Sequence, residues 1–299
     1  MPDMLARRSI ISGCHWLLAA SVFAQPATVE QNNAAPRRIV AMAPNSAEVI
    51  CTIGACDRIV GVSKFCVFPK ELLERPKVGG LSDPDLERIT ALRPDLLVLR
   101  GRNDALERLA DTLKIPIYRD ETDTLAGIES CLRELGERLG LPNEGDAKAA
   151  EFRDRIRAVQ HRVSSKPRPR ILVTVARQPD RLANILTTGR GTFLDEMIDA
   201  AGGVNVFGQL DMPYPQVSPE AILAKQPEII LELLPEVELT QDLRWGMLAQ
   251  WKKFGTIPAV ATGRIHFLND DNALIPSPRY AAFIEKVAAL LHPEPARDR

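Results

Sequence analysis

The sequence predicts an α/β fold of two lobes, each a parallel sheet with covering helices, joined by one long α-helix. Three observations predict it. A phrase of the form Glu-x-Ile-x-Ala-x-x-Pro-acid, followed by branched apolar residues, occurs twice, at residues 87–95 and 220–228. Strand-like apolar runs alternate with helix-like segments in both halves of the chain, as in parallel sheets with crossover helices. Between the halves, residues 146–165 contain neither Gly nor Pro, and Phe152, Ile156, Val159 and Val163 fall there at helical spacing.

Along the chain, residues 38–43 (Arg-Ile-Val-Ala-Met-Ala) read as a first strand. Pro44-Asn45-Ser46 reads as a turn that caps a short helix over 47–53, ending at Gly54. A second strand follows at 58–63. The first repeated phrase gives a short helix stopped by Pro94, because the residue before a proline is driven out of the α region, and then a buried strand at 96–99. A helix at 105–113, a strand at 115–118 and a helix at 125–140 complete the first lobe. The second lobe reads as a strand at 171–175, a turn at 187–191, a helix at 192–200 and a strand at 204–207. The second repeated phrase supplies a helix at 219–225, stopped by Pro227, and a strand at 229–233. A helix around 245–253, a strand at 265–268 and a helix at 280–291 close it. The expected divisions are a leader at 1–24, a first lobe at 36–141, a linking helix at 142–165 and a second lobe at 166–292. A helix of about 20 residues spans about 30 Å, enough to lie across two lobes.

With 299 residues, 45% hydrophobic and 26% charged, the chain has apolar material for two cores. Lys plus Arg number 38 against 39 Asp plus Glu, so no basic field gathers nucleic acid, and a monomer without a nucleic-acid partner is expected. Arg7 and Arg8 precede a mostly apolar stretch at 10–23, and Val22-Phe23-Ala24 offers a cleavage site, so the chain reads as exported to the periplasm. The paired arginines fit a general or a twin-arginine route. Too few apolar residues precede Ile11-Ser12-Gly13-Cys14 for a lipoprotein box, and no lipid anchor is expected. Cys51, Cys56, Cys66 and Cys131 lie beyond the leader at spacings unlike a zinc site, and read as small buried side chains with room for one disulfide.

No nucleophile elbow, Walker loop, zinc-protease helix or dinucleotide fingerprint occurs, and the 4 histidines are scattered. No catalytic residue, metal site or cofactor is expected, and the chain does not read as an enzyme. Gly189-Arg190-Gly191-Thr192 reads as a tight turn before a helix in preference to an anion cradle. In parallel α/β lobes ligands sit beyond the carboxyl ends of the strands, so the loops there are the candidate site. They carry aromatic faces and guanidinium groups that suit a large, partly apolar ligand bearing acidic or amide groups. The candidate contacts are Phe65, Cys66, Leu81, Arg100, Arg177, Tyr214 and Asp271, with Phe65, Tyr214 and Arg177 expected to face one another across a cleft. Glu87 and Glu220 head the repeated phrases, so each should be exposed at an equivalent place where a symmetric partner holds both.

Beyond the repeated phrases, Arg38-Ile-Val-Ala-Met-Ala-Pro-Asn-Ser-Ala-Glu48, Ile59-Val-Gly-Val-Ser63, Cys66-Val-Phe-Pro69 and Val78-Gly-Gly80 form an ordered set in the first half. Gly191-Thr-Phe-Leu-Asp195, Ala201-Gly-Gly-Val-Asn-Val-Phe207, Tyr214-Pro-Gln-Val-Ser218 and Pro276-Ser-Pro-Arg279 form one in the second. Over residues 36–291 this set resembles the helical-backbone substrate-binding proteins of ABC importers, the class that carries vitamin B12, ferric siderophores and haem. The resemblance implies two lobes with little hinge motion and capture of a corrinoid or iron chelate between them. It also implies delivery to an ABC permease and its ATPase in the inner membrane, docked through Glu87 and Glu220. Residues 212–220 and 268–271 are most similar to the vitamin B12-binding members, although Leu81, Tyr214 and Asn272 stand where several such proteins carry tryptophan. Two further readings fit paired lobes. An enzyme using the cleft with a metal cluster needs bridging Cys or His beyond Cys66, and the other is a sensor that does not transport.

Overall fold

The computed structural model describes residues 35–235 and 237–294; the leader expected at 1–24 lies outside the described residues. The first lobe is built from β1 (Ile39–Ala41), α1 (Pro44–Thr52), β2 (Ile59–Val62), α2 (Leu86–Ala91), β3 (Leu96–Arg100), α3 (Asp104–Leu113), β4 (Ile117–Asp120) and α4 (Leu125–Arg138). Then comes α5 (Pro142–Val163). The second lobe comprises β5 (Arg170–Thr174), β6 (Ile185–Leu186), α6 (Phe193–Ala200), β7 (Val204–Asn205), β8 (Gln216–Val217), α7 (Pro219–Lys225), β9 (Ile229–Leu233), α8 (Gln241–Lys252), α9 (Pro258–Ala261), β10 (Ile265–Leu268) and α10 (Tyr280–Leu291).

Both main sheets are parallel, ordered β2-β1-β3-β4 and, read from the other edge, β7-β5-β9-β10. The two lobes therefore share one topology, with β5 in the place of β1 and β9 in that of β3. The duplication extends to single hydrogen bonds. The Asp95 carboxylate accepts from Arg37 N–H at 2.9 Å and Arg38 N–H at 2.8 Å, and Asp95 N–H donates to the Arg38 carbonyl at 2.8 Å. In the second lobe Arg170 N–H donates to the Glu228 carboxylate at 2.8 Å, and Glu228 N–H donates back to the Arg170 carbonyl at 2.8 Å. The same arginines cap the preceding helix: Arg38 Nη2 reaches the Leu92 carbonyl at 2.6 Å and Arg170 Nη2 the Lys225 carbonyl at 2.5 Å. Arg93 and Gln226, just before Pro94 and Pro227, both take φ of +46°. The following proline disfavours the right-handed region while the helix end calls for a left-handed residue, and the left-handed well meets both demands.

Alternate residues on each strand serve different cores. Ile39, Ala41, Leu96 and Val98 of the first sheet share one apolar cluster with Ile171, Val173, Ile229 and Leu231 of the second, completed by residues of α1, α4, α5, α6 and α10. The outward set Val40, Leu97 and Leu99 packs under α3, and Leu172, Ile230 and Ile265 form a separate cluster with Trp251. The long α5 runs unbroken for 22 residues and buries Phe152, Ile156, Val159 and Val163, as the spacing predicts. It packs on α4 from the first lobe and on α6 and α10 from the second. Close approach of α4 and α5 rests on glycine: a Cβ at Gly136 would lie 2.8 Å from the Gly145 Cα.

Several expectations shift. The strand expected at 204–207 is only β7, because the Asn205 side chain turns to the Thr188 carbonyl at 3.0 Å and Asp195 at 2.8 Å and accepts from Phe207 N–H at 3.0 Å. The strand expected at 115–118 moves to β4, since Ile115 N–H is taken by the Ala110 carbonyl and Pro116 has no donor. The helix expected around 245 starts at Gln241, with Thr240 accepting from Leu243 N–H at 3.2 Å. The antiparallel pair β6–β8 and the single turn α9 are additions. Cys51 and Cys56 form a disulfide at the end of α1, while Cys66 and Cys131 are free and buried. Among the described residues no helix is long and apolar enough to cross a membrane.

Candidate ligand-binding cleft

Parallel strands of both lobes end at one cleft of about 420 Å³, lined by Pro44, Asn45 and Arg100 on the first lobe and by Val175, Leu186, Phe193, Tyr214 and residues 274–276 on the second. The elements explain the placement. Pro44 and Asn45 open α1 directly after β1, Arg100 ends β3, and Val175 follows β5. The Leu274-Ile275-Pro276 segment follows β10 and is pinned by Ser277 Oγ donating to Asn272 Oδ1 at 3.1 Å. A larger open groove of about 890 Å³ runs along α5, lined by helix side chains such as Phe152, Ile156 and Arg153. It follows α4, α5, α6 and the edge strand β7 and includes no loop directly after the central strands β1, β3, β5 and β9, so the smaller cleft is the candidate site.

The first-lobe wall is a closed polar network. Asn45 Nδ2 donates to Asp120 at 3.1 Å and to Thr122 Oγ1 at 2.7 Å, and Ser46 Oγ donates to the second Asp120 oxygen. Arg100 is one-third exposed; it donates to Asp120 at 3.3 Å, to Asp123 at 2.5 Å and to Thr122 Oγ1. Its charge is thus shared between two carboxylates before any ligand arrives. Tyr214 stands opposite, 38% exposed. Burial pushes its hydroxyl pKa up, with Arg100 pulling it down and Asp123 pushing it up.

Of the sequence candidates, the structure brings Arg100 and Tyr214 together at the cleft. Phe65 projects from the loop after β2, 51% exposed, with the Lys64 ammonium 5.4 Å from its ring. Asp271 is exposed in the loop after β10, next to the lining segment but not in it. Neither Phe65 nor Asp271 lines the cleft, and three further candidates do not reach it either. Cys66 is fully buried with Sγ 3.3 Å from Ser63 Oγ, and burial raises its thiol pKa. Leu81 packs against the outer core of the first lobe while its carbonyl accepts from Asn103 Nδ2 at 2.6 Å.

The third, Arg177, was expected to face Phe65 and Tyr214 and instead turns inward. Its side chain is 2% exposed, and Nε donates to the two Glu232 oxygens at 2.9 and 3.1 Å. Glu232 sits mid-strand in β9, where it also accepts from Trp251 Nε1 at 2.6 Å and Thr174 Oγ1 at 2.8 Å. A buried carboxylate must be matched, and the nearest available cation was drawn in. The acid within the apolar run Ile-Ile-Leu-Glu-Leu was the signal available for this pairing.

The lining residues that were not among the candidate contacts are Pro44, Asn45, Val175, Leu186, Phe193 and Leu274–Pro276. An apolar triplet inside a loop pointed to the last group. Phe193 gives no such hint, since it looks like any first-turn core residue, and its ring packs edge-on to Tyr280 at 5.0 Å. The Gly189–Thr192 turn is a turn, as read: Gly189 and Arg190 N–H donate to the Pro213 and Leu210 carbonyls at 2.9 Å each, leaving no anion cradle. Among the described residues no group of three or more His, Cys, Asp or Glu side chains is arranged to hold a metal ion.

Glu87 and Glu220 lie at matching positions in the first turns of α2 and α7, both exposed. Asp85 caps α2 by accepting from Arg88 N–H at 2.9 Å, and Ser218 caps α7 by accepting from Ala221 N–H at 3.2 Å. Each helix runs back towards the start of the following parallel strand, so its first turn lies at the strand-end face that carries the cleft.

Two duplicated lobes with a partly apolar cleft between their strand ends are the architecture of a ligand-capturing protein. The chain belongs to the periplasmic binding protein family, whose model matches residues 39–271. It is 31% identical over 245 residues to the vitamin B12-binding protein of Vibrio parahaemolyticus, covering 81% of this chain and 84% of that one. The corresponding protein of Vibrio campbellii is 30% identical over 241 residues, covering 80% and 83%. Among solved structures, the periplasmic vitamin B12 binding protein of Vibrio cholerae superposes with a TM-score of 0.72 at 28% identity, over 86% of this chain and 96% of that one. A periplasmic heme binding protein from Pseudomonas aeruginosa gives 0.74 at 24% identity over 87% and 94%, a likeness of fold.

Proposed function

We propose that this chain is the periplasmic solute-binding component of an ABC importer, that it captures a corrinoid between its lobes, and that it hands the ligand to a permease docked on Glu87 and Glu220. The lobes, cleft and relatives support capture. One observation favours a corrinoid over an acidic chelate: the cations around the cleft are already matched by carboxylates. Arg100 is held by Asp120 and Asp123, Arg177 by Glu232, Arg279 by Glu48 and Lys64 by Asp83. A ligand carrying carboxylates or catecholates would have to displace one of these partners, and Asp271 adds a further negative charge. A large ligand with amide edges meets a hydrogen-bonding group at Tyr214 and apolar surface at Val175, Leu186 and Phe193.

Glu220 stays ionised over a wide range, because its own backbone N–H and the Ser218 hydroxyl hold its carboxyl below the usual value. That suits an exposed anchor for a basic groove on a partner. Titration calorimetry of the purified protein with cyanocobalamin, hemin, a ferric hydroxamate and ferric citrate tests the assignment. Saturable binding of the corrinoid at concentrations where the others give no heat is expected, and preference for an acidic chelate would overturn it.

A further inference from the structure

The geometry points to Arg279 as a positioning residue that presets the width of the ligand cleft by tethering one lobe to the other. Its guanidinium makes a two-pronged ion pair with Glu48 of α1, Nε to Oε2 at 2.8 Å and Nη2 to Oε1 at 2.6 Å. Glu48 belongs to the first lobe and is 2% exposed; Arg279 belongs to the second, at the start of α10. The same guanidinium lies 3.7 Å from the centre of the Phe68 ring, whose loop carries the exposed aromatic residues of the first lobe. One side chain thus holds a buried acid and a rim aromatic, both from the opposite lobe.

The position of this contact gives it a role beyond stability. Glu48 is one helical turn from Pro44 and Asn45, which form one cleft wall, and Arg279 is three residues from Pro276, which forms the other. Neither connection has slack. Asn45 and Ser46 are bound to Asp120, while Ser277 N–H donates to the Ile275 carbonyl at 2.8 Å and Tyr280 N–H to the Ser277 carbonyl at 2.9 Å. Among the described residues the other direct polar link between the lobes, Leu125 N–H to Glu196 at 2.6 Å, and the Arg155–Glu285 pair at 3.0 Å, which joins α5 to the second lobe, involve helices and not the lining loops. A buried ion pair contributes little net stability once desolvation is counted, but a two-pronged pair fixes distance and angle. Holding the walls and Phe68 in place before binding spares the ligand the cost of ordering them.

The tether predicts a change in interlobe spacing that needs no ligand. Spin labels at Asp111→Cys in α3 and Lys252→Cys in α8, both exposed, report the lobe-to-lobe distance by pulsed electron resonance. Glu48→Met with Arg279→Met removes both charges and keeps bulk, so the melting midpoint should stay near the parent's while the distance distribution broadens. Arg279→Lys, which leaves Glu48 compensated but loses the fork and the stacking, should broaden it less and serves if the double variant does not fold. The binding arm rests on the corrinoid reading: cyanocobalamin should dissociate about tenfold faster from the double variant. A parent that ignores cyanocobalamin, with broadening still seen, would refute the ligand and leave the tether standing. Unchanged distance distributions in both variants would overturn the tether whatever the ligand does.

Discussion

Replacing Arg177 with methionine separates a structural ion pair from a ligand contact. The substitution leaves Glu232, 1% exposed, with Trp251 and Thr174 as hydrogen-bond donors and no positive charge. Breaking a buried pair by removing one partner costs about 3–5 kcal/mol. At about 2–4 °C per kcal/mol for a chain of this size, the melting midpoint should fall by roughly 6–20 °C. Adding Glu232→Gln removes the uncompensated charge and retains an acceptor for Trp251 Nε1, so the double variant should recover most of the loss. The assay is paired: urea and thermal unfolding by circular dichroism for stability, and titration with cyanocobalamin at a temperature where each variant is folded. Stability should fall steeply with the single change while affinity stays within about twofold, because the guanidinium does not line the cleft. A single variant that melts like the parent but loses affinity would refute the inward placement and restore Arg177 as a ligand contact.

Tyr214→Ala should weaken corrinoid binding by about 1–3 kcal/mol, through lost ring area and a lost hydroxyl, and unchanged affinity would move the site elsewhere. Charge reversal at both Glu87 and Glu220 should abolish uptake by cells while the purified protein binds as before, so a large loss of affinity in vitro would count against a docking role. Ile156→Asp places a charge at a buried position on α5 and should cost several kcal/mol, measured by urea unfolding. Burial holds the His266 and His292 rings below the ordinary value of 6.5. The unfolded chain then takes up protons first on acidification, so this stability is present above about pH 6.5 and is lost as pH falls through that value toward the folded-state pKa. Replacing both with Asn should flatten the urea midpoint between about pH 7.5 and pH 5.5.

The repeated phrase made the architecture legible, because a helix, a proline stop and a buried strand are local matters that sequence states directly. The stripe Phe152, Ile156, Val159, Val163 likewise gave the linking helix, since one face of a helix can be counted. Legibility ended where the outcome depended on partners distant in sequence. Whether Arg177 points out or in depends on Glu232, 55 residues away, and the role of Arg279 depends on Glu48, 231 residues away. Arg100 was identified as a cleft residue, but its commitment to Asp120 and Asp123 follows from the register of β3 against β4, which the sequence alone does not state. From the loop that follows β10 only Asp271 was named as a contact, and the apolar triplet Leu274-Ile275-Pro276 behind it escaped.

Each main sheet takes its strands from one unbroken stretch, and the Cys51–Cys56 bridge closes over only five positions. A chain that emerges N-terminus first can therefore assemble the first sheet and close its bridge before the second has appeared, with no strand left waiting for a late partner. The inner apolar face of that early sheet shares its cluster with residues of α1 and α4, on which α5 packs, and all three helices emerge before the second lobe. What remains for the second half is to build a copy of the same plan against the far flank of α5, so the beam that joins the finished lobes also serves as the template on which the later one settles.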